Sequence, residues 1–189
     1  IYYMILINIL NELFRALPII SSIIFIILYV ITKDLFMFYI FIGTLLSGFV
    51  THFFKDIIFK CLETFLLYYD LNYINSILGI FERPLNATNC GNFYINETNF
   101  SYTQGMPSGH SILAGYISIY MYYYLIDKYK IEKKNHNNML IFSILFTFYT
   151  MYTRVLFGCH TIQQTIIGAI IGIIIGHYYY LLSKKIINN

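Results

Sequence analysis

The apolar run Ile162–Leu182 is long enough to cross a bilayer, and it is one of several. Pro18–Thr32, Phe36–Phe54 and Ile112–Ile126 reach or approach that length. A fifth run, Met139–Thr153, covers only about 22 Å at ~1.5 Å per residue, so its polar ends should sit at the interface. Pro18–Thr32 is also short unless Glu12–Leu17 extends it, and Ile1–Leu10 reads as the stump of an earlier helix. Only 11% of the 189 residues are charged, whereas an average soluble domain carries about 25%. Too little charge remains to cover a water-soluble globule. The expected fold is therefore all-α: one polytopic membrane bundle over residues 1–189. The net charge of +3 falls in short clusters, so no nucleic-acid partner is expected. Tryptophan is absent, which leaves any interfacial aromatic belt to the 20 tyrosines. The chain opens on Ile1 rather than methionine, and its N-terminus is expected to be incomplete.

The connections assign the sides. Lys128, Lys130, Lys133 and Lys134 fall in one connection, and Lys184 and Lys185 in the tail. Two spans separate the clusters, so both share a face with the Lys33-Asp34 turn. By the positive-inside rule that face is cytoplasmic. The opposite face receives Lys55, the loop Arg83–Pro107, Arg154 and His160. That loop holds three glycosylation triplets, at Asn86, Asn96 and Asn99, which agree with a lumenal or outer face; they also arise readily in any Asn- and Thr-rich segment. Cys61–Phe81 has apolar residues at helical spacing with Glu63, Asp70, Asn72 and Asn75 elsewhere. It reads as an amphipathic insertion on the interface, or as a sixth span. The three cysteines lack metal-ligand spacing, and the histidines show no zinc pattern. A Cys90–Cys159 bridge on the outer face is conceivable.

Three strings then stand out on that face: Glu82-Arg83-Pro84, Gly105-Met106-Pro107-Ser108-Gly109-His110, and Arg154 through His160. Each puts a cation or a histidine at a helix end. Arg83 and Arg154 offer planar forks to phosphoryl oxygens. Ser108 and Gly109 precede a helix, where backbone N–H groups and the dipole favour an anion. Two histidines can share the work, one attacking phosphorus as a neutral base and the other protonating the leaving oxygen. Taken singly, such residues are more often interfacial histidines, snorkelling arginines and ordinary helix starts.

Together the strings resemble the type 2 phosphatidic acid phosphatase family, which shares its fold with vanadium haloperoxidases. That family's pattern is Lys-x6-Arg-Pro, Pro-Ser-Gly-His and Ser-Arg-x5-His-x3-Asp. Pro107–His110 matches fully; Arg154 and His160 match in spacing, with Thr153 in the serine place; Arg83-Pro84 matches the end of the first motif. Two positions depart. Ser76 stands where the lysine should be, so Lys55, 28 positions before Arg83, is the preferred candidate and Lys60 the alternative. Gln164 replaces the final aspartate. One helical turn from His160, it can still accept from the imidazole but cannot stabilise a growing positive charge. It reads either as damage or as the mark of dolichyl-diphosphatase-like members, which resemble this chain at Gly105–Ser108 too.

The resemblance implies that His160 attacks phosphorus, His110 protonates the leaving group, Gln164 orients His160, and Lys55, Arg83, Ser108, Gly109 and Arg154 bind the phosphoryl oxygens. It implies no metal and no cofactor. The partners would be the lipid bilayer and a membrane lipid phosphate or diphosphate; the oligomeric state is left open. The expected activity is lipid phosphatase, in an endomembrane such as the endoplasmic reticulum with the site facing the lumen. A catalytically impaired lipid-phosphate-binding or transport protein is the alternative. A haloperoxidase fits poorly with so many spans.

Overall fold

The computed structural model describes residues 2–71, 81–85, 87, 90–91 and 104–189, with side chains from Ile5 onward. The three glycosylation triplets, Ser76 and the second half of Cys61–Phe81 lie wholly or partly outside these residues.

Among the described residues the chain is all helix apart from turns and one isolated bridge. In order, the helices are α1 (Tyr2–Arg15), α2 (Leu17–Thr32), α3 (Leu35–Phe53), a π-helical turn (Phe54–Phe59) running into α4 (Lys60–Tyr68), α5 (Gly109–Tyr129), α6 (Lys133–Leu156) and α7 (Ile162–Asn188). Three helical runs are long and apolar enough to cross a membrane: Leu35–Tyr68, Lys133–Leu156 and Ile162–Asn188. The pair α1 and α2, bent by 76°, makes a fourth if it is counted as one span. Only 22% to 33% of each span's apolar window is buried within the protein, so its apolar side chains mostly face outward, as a lipid-facing surface requires. The chain is an integral membrane protein.

Several span boundaries differ from the sequence reading. The helix around Met139–Thr153 is not short: its polar lead-in is helical from Lys133, giving 24 residues. Glu12–Arg15 does not lengthen the second helix, because Pro18 lacks the N–H that would continue α1 into α2. The chain turns at Ala16 instead. Ile112–Ile126 forms the middle of α5, but α5 is not among the helices apolar enough to span by themselves. Its serines and its Tyr116, Tyr120 and Tyr124 are covered by neighbours, for α5 is the central strut and packs on α7, α6 and α3. The tyrosines also divide differently. Tyr116, Tyr120 and Tyr180 are buried in the bundle core, while Tyr68, Tyr129 and Tyr152 stay exposed near helix ends.

Backbone contact fixes α5 against α7. A Cβ on Gly168, Gly172 or Gly176 would come within 2.6, 2.0 or 2.7 Å of the carbonyls of Ser108, Ile112 and Tyr116. Glycine at every fourth position lets the two backbones meet directly, the usual device for close helix packing in lipid. By contrast, apolar clefts of about 270 and 300 Å³ flank α6, one shared with α2 and α5, the other with α5 and α7.

The lysine clusters share one end of the bundle. There Lys128 pairs with Asp34 and Lys184 with Asp127. Tyr124 donates to Asp34 (2.8 Å) and Tyr180 to Asp127 (2.6 Å). The three motif strings meet at the other end.

Candidate active site

Gln164 joins the three strings. It is fully buried in the first turn of α7, in a capping box with Thr161. Its Nε2 donates to the carbonyl of Glu82 (2.7 Å), which fixes Oε1 as the acceptor. That Oε1 takes the Thr161 N–H (3.2 Å) and the Nδ1–H of His160 (3.0 Å). Its own main-chain carbonyl takes the N–H of Ser108 (3.0 Å). A Cβ on Gly105 would lie 2.7 Å from the amide, so a larger residue there would displace the Gln164 side chain from these bonds. The Gly105 and Met106 amides also donate to Phe81, and Glu82 bridges to Gln104.

His160 sits between α6 and α7, 3% exposed. With Nδ1–H given to Gln164, Nε2 keeps its lone pair. Burial first, then the charges of Arg83, Lys55 and Arg154, hold its pKa well below 6.5, against the opposing bond to Gln164. A neutral imidazole with a free Nε2 lone pair is favoured at neutral pH.

Lys55 lies in the π-helical turn, where one extra residue rotates the side chain inward; such turns recur at functional sites. Its Nζ donates to the carbonyl of Gln104 (3.1 Å). Lys60, the alternative, is exposed. Arg83 Nη1 donates to the carbonyl of Cys159 (3.4 Å). Arg154 is wholly buried at the end of α6. Its Nη2 donates to the carbonyl of Cys90 (2.8 Å), while its Nε and Nη1 have no acceptor among the described residues. Two buried, unmatched nitrogens of a guanidinium form an anion-seeking surface, since leaving their N–H groups unmet is costly. Cys90 and Cys159 form a disulfide, which holds Cys90 next to Arg154 and its partner next to His160 in the chain.

The cradle at α5 differs from the sequence reading in one respect. The Ser108 N–H is spent on Gln164, so it cannot serve an anion. The first-turn amides of α5, from Gly109 on, have no acceptor within the helix and keep that capacity. Gly109 presses on Thr51 of α3, which a Cβ would approach to 2.9 Å. His110 is buried, and its Nε2 donates to the carbonyl of Arg15 (2.8 Å).

Sequence reasoning missed Arg15, the carbonyls of Glu82 and Gln104, and the glycine ladder. The ladder was readable as Gly168-x3-Gly172-x3-Gly176, and Pro18 marked the end of α1 at Arg15. The carbonyls left no signal, because any residue type supplies one.

Neither a curated protein nor a solved structure matches the chain. Residues 35–187 match the PAP2 superfamily. That stretch runs from the start of α3 almost to the end of α7 and takes in all three motif strings. The chain therefore belongs to the PAP2 superfamily, a family of generally phosphatase-type proteins that hydrolyse phosphoric esters.

Proposed function

We propose that this chain is a metal-independent lipid phosphatase acting on a phosphomonoester or diphosphate at the membrane interface. The observation that carries the reading is the buried pairing of a neutral His160, oriented by Gln164, with the unmatched N–H groups of Arg154. Lys55, Arg83, Arg154 and the first-turn amides at Gly109 hold the phosphoryl oxygens, and Ser108 shapes the turn that presents them. His160 Nε2 attacks phosphorus and His110 gives a proton to the leaving oxygen. Water then hydrolyses the phosphohistidine. The fixed positive charges stabilise the transition state in the place a metal would take.

The substrate is amphiphilic, its headgroup at the helix ends and its tail in lipid. Gln164 and the Gly105–Ser108 lead-in favour the dolichyl-diphosphatase-like branch and a polyprenyl diphosphate. The lysine-bearing end faces the cytoplasm and the site faces the lumen. Phosphate release in EDTA from phosphatidate and a polyprenyl diphosphate tests this, with membranes carrying wild type or His160→Ala. Release by wild type that vanishes in the variant is expected. No release by folded wild type would leave a lipid-phosphate-binding protein.

A further inference from the structure

The PAP2 match begins at residue 35, yet a helix upstream of it reaches the site. Among the described residues, α1 lies along α6. Tyr149 donates to Asn11 Oδ1 (2.8 Å), and Phe14 stacks edge-on with Tyr149 at 4.7 Å. Arg15, 4% exposed, lies 4.1 Å over the Phe157 ring and pairs with Glu12 (3.1 Å). These contacts aim the C-terminal end of α1 at His110.

Pro18 explains why a carbonyl is available there. It has no N–H for the carbonyl of Phe14, and the chain bends, so the Ile19 N–H turns to Ala16 rather than to Arg15. The Arg15 carbonyl is thus released from helical bonding and accepts the Nε2–H of His110 at 2.8 Å. A helix C-terminus also carries partial negative charge, which favours a cation beside it. His110 needs that help: its burial opposes a charge on it, and Arg154 of α6, Arg83 of the loop and Lys55 of the π-helical turn all act on it as cations.

We infer that Arg15, through its main-chain carbonyl at the end of α1, is a positioning residue for His110, holding its Nε2–H and supporting its protonated form. This rests on the phosphatase reading above. The imidazolium gives its Nδ1 proton to the leaving oxygen as the phosphorus–oxygen bond breaks and the bond to His160 Nε2 forms. The product is neutral His110 with hydrogen on Nε2, the tautomer that the carbonyl accepts. The α1–α2 pair is then part of the catalytic apparatus, although it lies outside the family match.

The test compares kcat/KM for a long-chain alkyl phosphate, whose leaving group needs a proton, with 4-nitrophenyl phosphate, whose leaving group does not. Full-length wild type is set against Pro18→Ala, which restores the missing N–H. It is also set against Asn11→Ala/Phe14→Ala, which loosens α1 without touching the bend. The alkyl phosphate should lose about 10-fold or more, a part of the ~10²–10⁴-fold that a general acid supplies, and the nitrophenyl ester less than about 3-fold. Equal losses on both substrates, or no loss on either, from folded variants would overturn the inference. Wild type inactive on both substrates would instead refute the phosphatase reading. In that case the imidazole nitrogen shifts of His110 still decide the geometry: an Nε2–H tautomer in wild type that is lost in Pro18→Ala is expected, and its absence from wild type overturns the inference.

Discussion

The two ends of the bundle treat their cations in opposite ways. At the lysine end, Lys128 and Lys184 meet the carboxylates of Asp34 and Asp127, and tyrosine hydroxyls complete the bonding. At the motif end, the bonds described for Lys55, Arg83 and Arg154 go to main-chain carbonyls of Gln104, Cys159 and Cys90. A carboxylate cancels a charge, whereas a carbonyl only orients it. The first end is closed electrostatically and serves the fold. At the second, no carboxylate among the described residues pairs with Lys55 or Arg154, and their positive charge is left for an anion.

Three substitutions probe that contrast, in descending order of effect. Arg154→Gln removes the buried guanidinium while keeping a donor for Cys90. It should lower kcat/KM for phosphate release by about 10²–10³-fold, the cost of losing a preorganised anion-stabilising group. Gln164→Glu brings a carboxylate to the motif end. It puts an acceptor opposite the Glu82 carbonyl, and its charge favours the imidazolium of His160. The His160 pKa rises, less neutral nucleophile is present at a given pH, and the acid limb of the pH–rate profile moves upward. Wild type should show that limb below pH 6.5. A limb that moves down in the variant would contradict the assigned roles. Asp34→Asn opens a pair whose lysine is 38% exposed, so the thermal stability should change by no more than about 1 kcal/mol and the activity hardly at all. A large loss of activity there would erase the distinction between the ends.

The fold class was legible because apolar runs and lysine clusters are global signals: no other arrangement hides Ile162–Leu182 from water and keeps Lys128 and Lys184 together. The motif end was legible in its side chains. Lys55 was preferred to Lys60 for the helix that carries it, although the family spacing pointed to Ser76, and its Nζ lies at the motif end, on the Gln104 carbonyl. What stayed hidden was tertiary. Nothing in the string around Ser108 says that its amide will be claimed by Gln164, since that bond depends on how closely α5 meets α7. The bend at Pro18 was visible, but its target, His110, lies 95 residues from Arg15 and is set by packing. Nor does composition say which of the tyrosines lie inside: it cannot distinguish a ring in the headgroup layer from one hydrogen-bonded within a bundle, as Tyr116 and Tyr120 are.

The glycine ladder has a mechanical consequence. With backbone laid on backbone at Gly168, Gly172 and Gly176, α5 and α7 cannot slide or part without losing every contact at once. They behave as a single beam, with His110 and Gln164 mounted on it at a set spacing. Flexing falls to the parts bolted on less tightly. First among these is α6, which has slack on both flanks and carries Arg154 at its tip. On the phosphatase reading proposed above, a substrate tail that wedges beside α6 would then tilt the guanidinium rather than His110 and Gln164, so tail shape would be read as grip on the phosphate.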